Sequence, residues 1–403
     1  MVAPEEHPPS TEPAATADMP AAERVRKPLR LNDMWETAPG NEHHCRRLRN
    51  VFTSPGRVKP VCPPAAFRPA PAGSEELRQV GYASPMPEPT EVLVVGELNV
   101  DVIVSGADAV PTFGQHEQIV DECRVTLGSS SAIFACGVRR LGHPTTMVGV
   151  VGADMFGEVV RDALGERDVD TSAVVVDPGT PTGVTVILNT GTDRALLTAP
   201  GSIGTTRRAH VPAPLPDTAR HLHVGSVFLQ RDLRPDLPAL FDDARAAGLS
   251  TSFDPNWDPA QRWTDLLPLL AHVDVVFVNE AEAEGLTGGL PAFRAAYALS
   301  ERMRPGGTVV VKRGEHGALA VRDGGDTSVP AYEVDVVDTT GAGDSFDAGF
   351  VHGMLSGAEL GECLALGAGC GSLSTRAAGG TDAQPDAGEL AELLGEGGYG
   401  ADR

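Results

Sequence analysis

The chain has 403 residues, of which 32 are basic and 55 acidic, for a formal charge of −23 with 41 % hydrophobic content. A chain this acidic is not built to hold nucleic acid or an anionic membrane, because polyanions need local positive charge, and any anionic substrate must meet positive potential supplied locally. No apolar run reaches the roughly 18 residues that span a bilayer, and Met1-Val2-Ala3-Pro4-Glu5-Glu6 lacks the basic-then-apolar layout of a secretory signal.

Residues 1–88 form a proline-rich segment expected to be irregular. Of the 33 prolines, 16 lie in residues 1–90, where 11 basic and 11 acidic side chains cancel. Proline removes backbone donors and fixes φ, so neither a helical nor a strand period develops. His43-His44-Cys45-Arg46-Arg47-Leu48-Arg49 reads as a solvated basic patch. The compositional step before the first strand suggests that translation starts at or near Met86, which the intact mass of the endogenous protein decides. The six cysteines, Cys45, Cys62, Cys123, Cys136, Cys363 and Cys370, are too sparse for a disulfide framework and suit no zinc site. They read as reduced thiols of a cytoplasmic protein.

From residue 89 to about 398 the pattern is that of one α/β domain. Glu91 to Gly96 is an apolar β-branched run ending in glycine, as in a buried parallel strand. Thr145 to Val151 repeats it, and Met155 to Leu164 follows as an amphipathic helix. Further strands are expected at His221 to Val224, Leu249 to Phe253, Val273 to Val278 and Thr308 to Lys312. Helices are expected at Leu237 to Ala247, Glu280 to Leu286, Ala292 to Met303, Asp344 to Leu355 and Leu360 to Leu373. This alternation predicts a mostly parallel sheet covered by helices on both faces. Two segments, about 112–128 and 181–199, alternate apolar and polar residues instead. In the second, Asn189-Thr190-Gly191-Thr192-Asp193 separates two strand-like runs, a hairpin pattern. They are expected to form a small antiparallel lid, with two extra edge strands of the main sheet as the alternative.

The chemistry concentrates in Val337-Asp338-Thr339-Thr340-Gly341-Ala342-Gly343-Asp344-Ser345-Phe346-Asp347-Ala348-Gly349-Phe350. A glycine-rich turn opens a helix there. The amides of Gly341, Ala342, Gly343 and Asp344 have no helical acceptors and carry the positive end of the helix dipole, so they suit a phosphate. A carboxylate directly after the turn can accept the proton of an attacking hydroxyl. The helix terminus is expected to hold the Asp344 pKa low. A plain helix cap is the alternative for Gly-Ala-Gly-Asp alone. No Gly-x-x-x-x-Gly-Lys-Ser/Thr occurs, which excludes a P-loop kinase.

The longer string resembles the C-terminal signature of the ribokinase/PfkB family of sugar and nucleoside kinases, and the resemblance runs in order over about residues 91 to 385. It implies a three-layer αβα ribokinase-like fold with the small antiparallel β lid, and an ATP-dependent transfer to a hydroxyl of a sugar or sugar-like alcohol. It implies an anion hole at Gly341, Ala342 and Gly343 with Asp344 as catalytic base. Asn99-Val100-Asp101 resembles the family's start, where the aspartate binds sugar hydroxyls; a turn aspartate is the plain alternative. Gly128-Ser129-Ser130-Ser131-Ala132 resembles the N-terminal signature, which makes Gly128, Ser129 and Ser131 substrate-binding candidates or ordinary caps. The sequence departs from the family there, because its substrate-binding asparagine falls at Ile133. Asp254-Pro255-Asn256 resembles a segment near the phosphates, with Asp258 where an arginine is common. Asn279 and Glu282 match the Asn-x-x-Glu motif, with Glu282 reaching Mg²⁺ through water. Lys312, Gly314 and Gly317 resemble the strand and loop along the nucleotide. Asp338 and Thr340 match positions that help enclose K⁺. The implied partners are ATP and a small sugar, without nucleic acid or membrane, and with homodimerisation through the lid as an option. A nucleoside kinase, a sugar-phosphate kinase using Arg124 and Arg194, and an inactive sugar-binding homologue are the alternatives.

Overall fold

The computed structural model describes residues 89–106, 109–190 and 194–396. The segment 1–88, with Met86, the His43 to Arg49 cluster, Cys45 and Cys62, lies outside the described residues, as do 397–398.

The apolar runs pair into a nine-stranded sheet. In chain order its strands are β1 (Val92–Val95), β4 (Thr145–Gly152), β5 (Val174–Asp177), β8 (His221–Val224), β9 (Ser250–Phe253), β10 (Val275–Asn279), β11 (Thr308–Lys312), β12 (Ala318–Arg322) and β13 (Gly325–Val329). Their spatial order is β13-β12-β11-β10-β9-β8-β1-β4-β5. The first seven pair in parallel, with Val95 opposite both Val148 and Val224; β12 and β13 close one edge antiparallel. Side chains of a strand point alternately to opposite faces. Val92 and Val94 therefore enter one core while Leu93 and Val95 enter the other. Burial on both faces is why β1 shows no polar alternation.

The helices are α1 (Ser130–Arg140), α2 (Met155–Gly165), α3 (Leu237–Ala246), α4 (Glu280–Thr287), α5 (Ala292–Ser300), α6 (Ala342–Leu355), α7 (Leu360–Ser374) and α8 (Ala387–Glu396). Phe134 of α1 and Phe350 of α6 fill the first core, where Phe350 meets Phe277 edge-on at 5.3 Å. Phe241 of α3 and Phe253 fill the second, with rings 6.2 Å apart. Each such ring is worth about 1.5–3 kcal/mol of transfer free energy, so the αβα layering follows from two-sided burial.

A second sheet has the order β3-β2-β6-β7, with β2 (Asn99–Ser105), β3 (Glu122–Leu127), β6 (Gly183–Asn189) and β7 (Arg194–Ala199). The pairs β2/β3 and β6/β7 are antiparallel, and β2/β6 is parallel. β6 and β7 pair antiparallel where the sequence places the two runs, and residues 191–193 between them lie outside the described residues. Two details differ from expectation. Residues 109–121 carry no strand, and Asn99–Ser105 is a strand of this sheet rather than a turn after β1. Gly96-Glu97-Leu98 breaks the run, so one apolar stretch serves two sheets.

Candidate active site

The loops at the carboxyl ends of β1, β8, β9, β10 and β11 converge with the N-termini of α1 and α6, the usual ligand position in an open α/β sheet. The turn before α6 is fixed first by its backbone. The amides of Val337 and Asp338 donate to the Thr375 carbonyl at 2.8 and 3.1 Å. Asp338 Oδ1 accepts from the Thr340 amide (2.9 Å) and hydroxyl (2.8 Å), and Oδ2 accepts from the Gly379 amide (3.0 Å). Burial works against the charge, but these donors outweigh it and hold the Asp338 carboxyl below its ordinary value. Gly341 has φ 72°, and a Cβ there would lie 2.7 Å from the Gly380 Cα. Glycine is required on both counts.

The first turn of α6 opens on a cleft of about 1110 Å³, whose lining includes Lys312, Gly314, Gly317, Tyr332, Ala342 and Gly343. Ala342 donates to the Thr339 carbonyl at 3.3 Å. Gly314 and Gly317 have φ 52° and 78°, and a Cβ on Gly317 would lie 2.0 Å from the Val329 carbonyl. Of the residues the sequence singles out, Lys312, Gly314, Gly317, Ala342 and Gly343 line this one cleft.

Behind the turn lies a charged cluster. Lys312 Nζ is 2.5 Å from Asp254 Oδ2, 3.1 Å from both carboxyl oxygens of Asp347 and 3.5 Å from the Gly343 carbonyl. Burial would neutralise the ammonium, but the Asp254 and Asp347 carboxylates outweigh it and hold it charged. One cation therefore serves several carboxyls. Burial, with neighbouring negative charge, pushes Asp347 well up, and it pushes Glu282 up to about 8.

Asp344 is 9 % exposed. Its pKa is pushed up to about 7, first by burial and then by Asp254 and Glu97, against Lys312 and a hydrogen bond with Ser130. This corrects the expectation of a low value. The dipole of one helix terminus is a modest effect, about 0.3–1 kcal/mol, and burial among carboxylates exceeds it.

The acceptor side is built on β2 and α1. Asp101 Oδ1 accepts from Asn99 Nδ2 at 3.0 Å. Its pKa rises to about 6, chiefly through burial, with Glu97 adding to the rise and Arg194 opposing it. A Cβ on Gly128 would lie 2.3 Å from Asp101 Oδ1. Gly128→Ala is thus expected to displace that carboxylate and raise the KM for the acceptor at least ~10-fold, the scale of one lost hydrogen bond to a charged group. An unchanged KM in steady-state kinetics would detach Asp101 from the acceptor. The Ser129 hydroxyl accepts from the Ala132 amide (3.0 Å) as the α1 cap and donates to the Glu97 carbonyl (2.5 Å). Ser131 is fully buried and donates to Glu97 Oε2 at 2.6 Å. Ile133 packs under the turn, in reach of a Cβ built on Gly341 or Gly380.

On the phosphate side, Asn256 has φ 53°; its amide donates to Asp254 Oδ1 (2.8 Å) and its side chain to Ser226 Oγ (3.1 Å). Asn279 and Glu282 form a reciprocal capping box at the start of α4, with 2.9 and 2.8 Å bonds. Asp258 is buried and accepts from the Ala260 amide at 2.9 Å. Arg194 donates to the Thr340 hydroxyl at 3.3 Å, joining the second sheet to the turn.

The sequence alone did not single out Glu97 or Asp347 as site residues; Ser130 stands with Ser129 and Ser131 as a candidate for hydroxyl contacts to substrate. Glu97 carried a usable signal, as an acidic residue two positions past a buried parallel strand. Asp347 lies one turn after Asp344 on the same face.

A family model described as pfkB family carbohydrate kinase matches residues 89–387. A fructokinase from Klebsiella pneumoniae is 32 % identical over 285 residues, covering 66 % of this chain and 91 % of that protein. A 2-dehydro-3-deoxygluconokinase from Bacillus subtilis is 30 % identical over 283 residues, with coverage of 66 % and 86 %. Among solved structures, the fructokinase of Vibrio cholerae O395, in its fructose, ADP and calcium ion bound form, superposes with a TM-score of 0.64 at 26 % identity, over 76 % of this chain and 99 % of that one. With a family match over most of its length, the chain belongs to the pfkB family of carbohydrate kinases.

Proposed function

We propose that this kinase transfers the γ-phosphoryl group of ATP to a hydroxyl of an uncharged sugar, with fructose as the first candidate. The observation that carries the reading is Asp344: a carboxyl titrating near neutrality one residue beyond a glycine turn that lines the cleft. Ionised, it accepts the proton of the attacking hydroxyl; protonated, it cannot. The amides of Gly343 and Asp344 in the first turn of α6 take the charge on the equatorial oxygens of the travelling group, with the long Ala342 bond to Thr339 open to exchange. Asp101 accepts from the sugar hydroxyls, for which an acceptor-only carboxylate is suited. Glu97, Asp101 and Asp344 bias this side against an anionic acceptor, which disfavours a sugar phosphate.

On the nucleotide side, Lys312, Gly314, Gly317, Asn256 and Asn279 are the proposed ATP contacts. Among the described residues no cluster of three His, Cys, Asp or Glu side chains would hold a metal alone. That fits Mg²⁺ carried by the phosphates, which keeps most of its water. The excess carboxyls around Lys312 are charge that such an ion would offset, with Glu282 reaching it through water. Bound there, Mg²⁺ would neutralise the developing phosphate charge. Asp338 and Thr340 offer the oxygens proposed for a monovalent cation, K⁺, that would stiffen the turn.

The second sheet is proposed to act as the lid that excludes water from the transfer. Leu196 and Leu197 of the edge strand β7 are 56 % and 61 % exposed, and a second copy pairing through the lid is proposed to cover them. Cys136, Cys363 and Cys370 are buried thiols, in keeping with a cytoplasmic kinase.

The test is ADP release with Mg-ATP across fructose, ribose, adenosine, fructose 6-phosphate and no acceptor. Turnover with an uncharged sugar and none with the phosphate is expected; activity on adenosine alone would replace the sugar reading by a nucleoside one. The pH profile is a separate check. kcat/KM reports the free enzyme, so it should rise with pH through about 7 as Asp344 ionises and level off above. A rise complete below pH 5 would mean that another group is the base.

A further inference from the structure

Glu97 lies two residues past the end of β1 and is 2 % exposed. It sits in a cage assembled from three loops. Oε1 accepts from the Ser226 hydroxyl at 2.8 Å and from the Ser131 amide at 3.3 Å. Oε2 accepts from the Ser131 hydroxyl at 2.6 Å and from Gln230 Nε2 at 3.3 Å. Its own carbonyl receives the Ser129 hydroxyl. Room for this is made by two glycines. A Cβ on Gly96 would lie 1.9 Å from Ser131 Oγ, and one on Gly225 would lie 2.3 Å from it. Ser131 thus enters a slot between the ends of β1 and β8 to reach the carboxylate.

The cage continues outward on both sides. Ser226, with φ 48°, accepts from Asn256 Nδ2, and the Asn256 amide is held by Asp254. Ser129 and Ser131 begin α1, whose Ser130 bonds Asp344, and Gly128 beside them abuts Asp101. A chain of short contacts therefore runs from the acceptor side, through Glu97, to the phosphate side. Four donors and no acceptor at its oxygens suit the ionised form, although burial pushes the carboxyl up. Gln230 Oε1 is buried without a partner among the described residues, so the amide is spent on the carboxylate rather than on packing.

We propose that Glu97 is a positioning residue for the transfer, holding the acceptor wall and the phosphate wall of the cleft in register beside Asp344. It touches neither reacting group in this arrangement and acts through Ser131, Ser226 and Asn256. The inference rests on the proposed role of Asp344. The charged and titratable groups facing Asp344 are Glu97 itself, Asp254 after β9, Glu282 of α4, Lys312 at the end of β11 and Asp347 of α6; Asp101 on β2 faces Glu97.

The test compares wild type, Glu97→Gln, Ser226→Ala and Asp344→Asn with Mg-ATP and the best uncharged sugar, reading kcat, both KM values, the acid limb of the pH profile and the thermal midpoint. Glu97→Gln should lower kcat about 10-fold or more, since small misplacements are costly, with the KM for Mg-ATP within about twofold. Removing a neighbouring negative charge eases ionisation of Asp344, so the acid limb should move to lower pH. Ser226→Ala should move both readouts the same way by less, and it decides the matter if Glu97→Gln does not fold. An unmoved acid limb, or a kcat loss that merely follows the folded fraction, overturns the proposal. A fully active Asp344→Asn overturns the underlying base assignment instead.

Discussion

Asp344→Asn is expected to lose at least about 100-fold in kcat, the usual scale of a general base, while its thermal midpoint stays at or above that of wild type. The stability expectation has a physical basis. Asp344 is buried among Asp254, Glu97 and Lys312, and its pKa of about 7 lies above that of an ordinary aspartate. A carboxyl raised on folding contributes nothing unfavourable while it is protonated in both states, and it destabilises progressively as pH rises from the unfolded value through the folded one. An amide of the same shape has no such penalty, so above pH 7 the variant should melt no lower than wild type. Loss of activity with retained stability marks a group kept for chemistry. Full turnover would remove Asp344 from the mechanism, and a collapse of stability would show that the carboxylate is structural.

Lys312→Met is expected to cost about 3–5 kcal/mol of stability, the scale on which breaking a buried pair leaves uncompensated charge. Nζ lies 2.5 Å from Asp254 and 3.1 Å from both oxygens of Asp347, and those two side chains are 3 % and 1 % exposed. Without the ammonium the two carboxyls can relax only by binding protons, which is easier in acid. The loss measured by urea unfolding should therefore be larger at pH 8 than at pH 5.5. A cost below about 1 kcal/mol at both pH values would show the pair to be solvated, as exposed pairs are. Lys312 is thus the electrostatic keystone of the cluster as well as part of the cleft wall, and a catalytic defect of this variant is interpretable only on folded protein.

The parts of the fold that follow a simple period were readable from the sequence. β1, β10 and β11 are nearly continuous apolar runs because both faces are buried, β8 and β9 instead bury histidines and serines that bond one another across the pair, and α6 announces itself through Gly341 to Asp344. β2 was not readable as part of the lid. The first run reads as a strand ending at Gly96, and only the break over residues 96–98 shows that Asn99–Ser105 continues as a strand of the other sheet. β12 and β13 form an antiparallel edge hairpin around Asp323-Gly324, both at positive φ, a turn signal that the strand and helix periods do not include. At the site, glycine positions and the Asp344 carboxylate were readable because their chemistry is local. The pKa of Asp344 was not, since it depends on Asp254 and Glu97, which are distant in sequence. The serines after Gly128 were ambiguous for the same reason. Whether a hydroxyl faces a ligand, a cap or Glu97 is settled by a residue some thirty positions earlier.

In a domain whose described core holds one lysine, the use of backbone amides for phosphate is coherent. An added cation near Gly343 would compete with Asp254 and Asp347, whereas amides at a helix start bring partial charge with no counter-ion requirement. In the proposed mechanism the α6 mouth grips the travelling phosphoryl group while Asp344 aims the alcohol. A crystal structure with ADP, aluminium fluoride, Mg²⁺ and fructose tests it most directly. Fluorides are expected within about 3.2 Å of amide nitrogens between Gly341 and Asp344, and an acceptor hydroxyl within the same reach of the Asp344 carboxylate. Fluoride held elsewhere, or a sugar whose hydroxyls all lie beyond reach of Asp344, would contradict it.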